Sequence, residues 1–280
     1  AANIAFHEKA LGQLFCDGSA RQIIDMLLGD LAGAGGELRL GVEPGAIRKE
    51  GDDFVVESSS GELRAASLVI ATGGKSIPKM GATGYAYDVA RRFGLSIIDP
   101  RPALVPFTYT PPRLDPIAEL AGVSVDARVR CGDTSFEGAL RFAPRGLAAP
   151  GVWRVLSLRR TARRALLTHR GLSGPAVLQI SSFWREGEEI AVDLARGRDS
   201  FADLKAERAA RPKLTLPNAL AHMLPKRLAA QVAARTHGDA ILTDLSDAKL
   251  KDIAASIHDW RTTPAGTEGW RTAEVTLGGV

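Results

Sequence analysis

Two stretches of this chain carry residues in an order that could do chemistry. Thr72-Gly73-Gly74 follows four apolar residues at 68–71 (LVIA). A run without polar alternation suits a strand buried on both faces of a parallel sheet. Paired glycines at its carboxyl end let the backbone turn sharply or let a ligand approach it. In open α/β sheets that end is where ligands sit. Read alone, the same residues are equally a plain strand-to-loop turn. The second stretch, 169–175 (HRGLSGP), approaches the Gly-x-Ser-x-Gly nucleophile elbow. Pro175 takes the last glycine position and no carboxylate is placed to orient His169. Ser173 is therefore not taken as a nucleophile, and His169 reads better as a structural histidine than as an acid or base.

Other glycine and histidine patterns carry less. The run 33–36 (GAGG) follows a helix and has Leu38 where a third glycine is required, so it is not a phosphate loop. Gly81-Ala82-Thr83-Gly84 precedes a helix and could offer amides to an anion, although a turn is the simpler reading. The five histidines are scattered without metal-site spacing. Cys16 and Cys131 read as free thiols of a reducing cytoplasm.

The elements that must position Thr72-Gly73-Gly74 are legible around it. Ser19 can cap a helix whose apolar residues Ala20, Ile23, Ile24, Leu27, Leu28 and Leu31 share a face; glycines end it at 33–36. A short strand is expected at 37–42, then an antiparallel meander through 47, 54–56 and 62–66. Past the Thr-Gly-Gly turn, Thr83 caps a helix that runs to Phe93, with Ala86, Ala90 and Phe93 inward and Gly94 beyond its end. Six prolines between 100 and 116 mark a departure from this first part. Strands are expected at 122–129, 176–180 and 189–194, in an antiparallel sheet or barrel. Helices follow from 201 to 260: one opened by Pro217, one after Pro225 with Leu228, Val232 and Ala233, and one capped by Ser246 with Leu250, Ile253, Ala254 and Ile257 inward. Residues 272–277 return to strand.

The 280 residues allow a large core and more readily two domains than one. No apolar run is long enough for a membrane helix, and no signal-peptide pattern is present. Net charge is +4, and the excess is local. No acid stands between Glu137 and Glu186, where Arg141, Arg145, Arg154, Arg159, Arg160, Arg163 and Arg164 crowd together; removing those seven reverses the sign of the balance. This segment could meet nucleic acid or an acidic partner, but it lacks interleaved aromatics apart from Trp153, so a solvated insertion is the simpler reading. The chain starts at Ala1 and stops on Leu277-Gly278-Gly279-Val280, which leads us to expect a piece of a longer protein.

Several stretches in order resemble one family. Residues 70–94 (IATGGKSIPKMGATGYAYDVARRFG) with 102–106 (PALVP), 12–20 (GQLFCDGSA), 168–181 (THRGLSGPAVLQIS) and 273–280 (AEVTLGGV) are similar to bacterial NAD(P)/FAD-dependent oxidoreductases of the aminoacetone-oxidase-like kind. The resemblance implies an α/β fold: a partial FAD-binding domain of glutathione-reductase (Rossmann) type, with an inserted antiparallel β-barrel-like domain that carries a helical subdomain. It implies boundaries at 1–103, completed by 273–280, and an insert of 104–272, barrel-like over 104–197 and helical over 198–262. It implies FAD, with NAD(P)H as candidate electron donor, and a cofactor site at Ala71, Thr72, Gly73, Gly74, Gly278, Gly279 and Val280. The family's amino-terminal Gly-x-Gly-x-x-Gly, its acidic ribose ligand and its final FAD segment are absent from these residues, and 141–165 has no counterpart. The expectation is a fragment of an FAD-dependent oxidoreductase acting on a small organic substrate, with nucleic acid and membrane not expected as partners. Its rival is a non-catalytic module that binds an acidic partner through 141–165.

Overall fold

The computed structural model describes residues 3–9, 12–110, 117–142 and 171–280. By its internal contacts the chain divides into two units, Ala1–Val69 and Ile70–Val280. In the first, a short antiparallel pair joins β1 (Phe6–Glu8) and β2 (Leu14–Cys16). Helix α1 (Arg21–Gly33) follows. The meander is present as β3 (Pro44–Glu50), β4 (Asp53–Ser58) and β5 (Gly61–Ala65), paired in that order. Gly51 turns the first hairpin at φ +60, a left-handed conformation that costs glycine nothing. Across the exposed face of the meander, Arg48 pairs with Glu50, Glu57 and Glu62, and Arg64 with Glu50 and Glu62. Exposed pairs of this kind hold register more than they add stability.

Two expected strands are missing here. Residues 37–42 are irregular. Residues 68–71, expected to be a doubly buried strand, also form no strand; Val69 is 83% exposed and Ala71 is exposed. The physical reason is pairing. A strand exists only beside a neighbour that takes its amides and carbonyls, and no described residue supplies one. Every pairing among the described residues is antiparallel, so the structure contains no parallel sheet there.

The second unit opens with a loop at 70–76, followed by helix α2 (Tyr85–Arg92). Thr83 Oγ1 accepts the Tyr85 amide at 3.2 Å, and Gly94 lies just beyond the end at φ +73. Tyr87, Val89 and Ala90 are the buried residues of α2, whereas Phe93, expected inward, is exposed. Strand β6 (Ile98–Ala103) pairs with β14 (Val275–Gly279) in a ribbon that joins distant parts of the chain.

The core of this unit is a seven-stranded antiparallel sheet. Its members are β7 (Phe107–Thr108), β8 (Ser124–Cys131), β9 (Thr134–Phe142), β10 (Gly171–Ser173), β11 (Ile190–Asp193), β12 (Trp260–Thr262) and β13 (Gly266–Thr267). The order is β12-β11-β8-β9-β10-β7-β13, and the edge strands do not pair with each other, so the barrel-like sheet is not closed. Alternation on β8 puts Ala127, Val129 and Cys131 on the buried face. Residues 176–180, expected as a strand, belong instead to helix α3 (Pro175–Ser181). Pro175 suits the first helical turn, and the buried Ala176, Val177, Ile180 and Ser181 follow helical spacing. Helices α4 (Ser200–Ala210), α5 (Leu216–Leu220), α6 (Lys226–Thr236) and α7 (Asp247–His258) complete the core. Asp199 and Ser246 cap α4 and α7 by accepting the amides of Ala202 and Lys249. Apart from Arg141 and Phe142 in β9, the segment 141–165 lies outside the described residues, as does His169.

Candidate functional site

The structure brings the two expected glycine turns onto one strand. Thr276 of β14 is the junction. Its Oγ1 accepts the amides of Lys75 at 3.0 Å and Ser76 at 3.2 Å. Those bonds leave its hydrogen for Ser76 Oγ, 2.9 Å away. Gly74 sits directly on this group: a Cβ there would lie 2.4 Å from Thr276 Oγ1 and 2.6 Å from its Cβ. Only glycine lets the loop approach so closely.

At the other end of the ribbon, the β6–β14 register shifts between Leu277 and Gly279. Gly278 makes the irregularity possible. Its φ is +80, and a Cβ would lie 2.7 Å from the carbonyl oxygens of Ile98 and Asp99. Gly73, at φ +75, and Gly279, at φ +136, have nothing within 4 Å of an added Cβ. Of the expected residues, Gly74 and Gly278 are therefore held against protein, while Gly73 and Gly279 flank open space. Ala71 and Thr72 are exposed, and Val280 is 72% exposed.

Lys75, Tyr87 and Trp270 were not singled out from the sequence. The Lys75 chain runs past Gly84, its Cε 3.5 Å from where a Cβ would stand. Its ammonium lies 5.8 Å from the Tyr87 ring and 6.0 Å from the Trp270 ring. Trp270 is fixed from below, since its carbonyl accepts the Ile77 amide at 3.0 Å. No carboxylate pairs with Lys75 among the described residues. The Tyr85 hydroxyl and Thr272 Oγ1 are buried without a hydrogen-bond partner among the described residues. A lysine immediately after Gly74 was the only signal in the sequence. Its aromatic neighbours lie 12 and 195 residues away, and only folding gathers them.

Arg101, register partner of Leu277, ties the ribbon to α3. It donates to the carbonyls of Ser182 at 3.1 Å and Trp184 at 3.2 Å. Burial, with Arg185 nearby, pulls its pKa below the usual arginine value against the pull of Glu188.

The Ser173 corner does have the strand–turn–helix form of an elbow, with Gly174 at φ +98 between β10 and α3. Ser173 is only 4% exposed, and its hydroxyl has no partner among the described residues. A nucleophile needs both a base and access, so this corner is packing. Gly174 is required because a Cβ would strike the Ala139 carbonyl oxygen at 2.2 Å. No cluster of potential metal ligands occurs among the described residues, and no described helix is long and apolar enough to cross a membrane.

A ribbon-borne glycine site beside an open, barrel-like antiparallel sheet and a helical group is the class defined so far. Comparison with known proteins makes it more specific. Residues 153–275 match the family described as HI0933-like protein barrel and H2TH domain, a link at the level of family. The chain is 40% identical over 278 residues to a ribosomal RNA dihydrouridine synthase of Escherichia coli (strain K12), covering 99% of this chain and 64% of that protein. It is 35% identical over 285 residues to the Haemophilus influenzae protein of the same name, with the same coverage. A 3-dehydro-bile acid delta(4,6)-reductase of Clostridium scindens is 23% identical over 272 residues, covering 93% of this chain and 61% of that protein. The chain thus spans less than two thirds of the length of these relatives.

These relatives are named as enzymes, and their names describe reductive chemistry. They correct two expectations. A small organic substrate for an aminoacetone-oxidase-like enzyme, and its rival of a non-catalytic module, give way because the 40% and 35% relatives are named for acting on ribosomal RNA. The expectation that nucleic acid is not a partner falls for the same reason. It rested on the arginine-rich segment 141–165 alone, and charge in one segment is a poor guide to what a whole fold binds.

Proposed function

We propose that this chain is part of an enzyme that reduces a uridine of ribosomal RNA to dihydrouridine, with FAD as redox cofactor and NAD(P)H as electron donor. One observation carries the reading: two relatives so named are 40% and 35% identical to it across 99% of its length. The reaction saturates the C5=C6 bond of the base. That bond gains a hydride and a proton while the donor is oxidised by two electrons.

The residues present suit a flavin dinucleotide. Gly73 and Gly279 keep backbone open to a flat ligand, with no protein atom within 4 Å of where their side chains would begin. Ala71, Thr72, Gly73 and Gly74 on one turn, and Gly278, Gly279 and Val280 on the other, are the residues that would hold it. Bound there, FAD supplies the hydride-transfer chemistry. The chain's own residues do the positioning. Thr276 Oγ1 locks the 74–76 turn to β14, and Gly278 sets the bulge that ends the ribbon. Lys75 places a positive charge beside that turn, where it favours an anionic group. We assign the cofactor part to 1–103 and 273–280 and the insert to 104–272; the β6–β14 pairing supports joining those two ends.

The test is genetic and chemical. Deleting the gene should remove a dihydrouridine from ribosomal RNA, read by mass spectrometry of nuclease fragments as one fragment lighter by two hydrogens, with uridine where dihydrouridine stood. Restoring the gene should return it, and the purified full-length protein should carry near-stoichiometric flavin absorbance. Unchanged ribosomal dihydrouridine after deletion would sink the reading.

A further inference from the structure

Residues 208–238 form a second acid-free stretch, after the one around 141–165. They contain Arg208, Arg211, Lys213, Lys226, Arg227 and Arg235 and no Asp or Glu. The stretch contains all of α5 and α6 and their connections. Both helices turn their apolar sides to the core: Leu216, Ala219 and Leu220 on α5, and Leu228, Ala229 and Val232 on α6, are buried. The charges are thereby confined to the outer side.

Several arginines elsewhere in this unit are neutralised by carboxylates. Arg128 pairs with Glu137, Arg196 with Asp126 and Glu137, and Arg261 with Glu189 and Asp259. In the acid-free stretch the pattern divides. Arg208 pairs with Asp247, and Arg211 with Glu207, which also holds His222 at 3.0 Å. Arg235 faces Glu119, whose charge opposes the effect of its burial. Arg227 donates only to backbone carbonyls, those of Ala121 at 2.9 Å and of Glu119, so its charge is oriented but not cancelled. Lys213 and Lys226 are exposed and have no carboxylate partner among the described residues. Glu119, which faces Arg235 of α6, accepts from Gln231 at 3.0 Å.

We propose that the outer side of α5 and α6 with the connection that precedes α5, through Lys213, Lys226 and Arg227, binds the phosphate backbone of the RNA substrate. The inference rests on the RNA reading above and adds where the RNA lies. Uncancelled cations on a packed helix pair attract phosphates and release their counter-ions, so binding through them weakens steeply with salt. The exposed Ala230 and Ala234 on α6 leave room for a backbone to approach.

The experiment is fluorescence anisotropy of the full-length protein with a labelled uridine-containing RNA hairpin, across a salt series. K213E/K226E should weaken binding about tenfold or more and reduce the slope of log K against log salt by about two. K213Q/K226Q should give an intermediate loss. Melting temperature and flavin content should match wild type, because neither lysine packs against the core or the ribbon. The control K249E/K251E makes the same charge change on α7 and should retain most of the affinity. Equal losses in the control, or an unchanged slope in K213E/K226E, overturns the proposal. If gene deletion removes the ribosomal dihydrouridine while K213E/K226E binds as wild type, the surface fails and the function stands. If deletion leaves the dihydrouridine in place, the function fails first.

Discussion

Helices α1 and α7 are written in the same code and end in opposite environments. Each places four or five apolar residues on one face at helical spacing. In α7, Leu250, Ile253 and Ile257 are fully buried against the sheet and its neighbouring helices. In α1, Ile23, Ile24, Leu27, Leu28 and Leu31 all remain at least 38% exposed, and the helix has no buried residue. The contrast teaches that periodicity specifies a helix and its sticky side, while burial requires a partner surface. Each fully buried Leu or Ile contributes about 1.5–3 kcal/mol, so α7 is held by its face and α1 receives little from its own.

The two cysteines offer the largest difference between the units. Burial, then the hydrogen bond and charge of Glu188, push the Cys131 thiol up to about 11. At pH 8 about one in a thousand such thiols is ionised. Cys16, in the first unit, is only half-buried, so a reagent can reach it. A thiol reagent at pH 8 should label Cys16 at least a hundredfold faster (about) than Cys131, whose reaction should follow unfolding. Equal rates would erase the distinction.

Core truncation comes next. Leu250→Ala should cost about 3 kcal/mol in chemical denaturation, against less than about 0.5 kcal/mol for Leu27→Ala. A comparable loss for Leu27→Ala would mean that the α1 face is covered in solution. Gly278→Ala should cost about 2 kcal/mol, from left-handed strain and the carbonyl contacts at 2.7 Å. Gly35→Ala shares a left-handed φ, +76, but has nothing near its Cβ. It should cost about 1 kcal/mol, which isolates the steric part. The smallest effect is at the caps. Ser246→Ala should cost about 1 kcal/mol. Ser19→Ala should cost a few tenths, because the α1 cap position falls on Ala20 and Ser19 Oγ reaches only the Arg21 amide.

Much of the fold was legible for local reasons. The meander, α1, α2 and the helices after Pro217, Pro225 and Ser246 announce themselves through period, cap and breaker residues. Helix α3 was misread as a strand because its short apolar run fits either period, and Pro175 was the better guide. Residues 68–71 were misread because an apolar run records a preference for burial without supplying the strand that would pair with it. At the candidate site, the two glycine turns were legible, since close backbone approach demands glycine. Their junction at Thr276 and the setting of Lys75 were not, because neither leaves a pattern along the chain.

The sequence by itself determined most of the helical segments, α3 excepted, several of the glycine turns, and which side of those helices is apolar. Those are short-range properties, set by side-chain shape and spacing within a few residues. Tertiary structure alone decided which apolar faces are buried and which arginines are neutralised. It also decided that the 74–76 turn is hydrogen-bonded to Thr276 of β14, about 200 positions away. The reason is physical: burial, charge pairing and close approach are properties of two surfaces meeting, and a sequence specifies each surface long before it shows its partner.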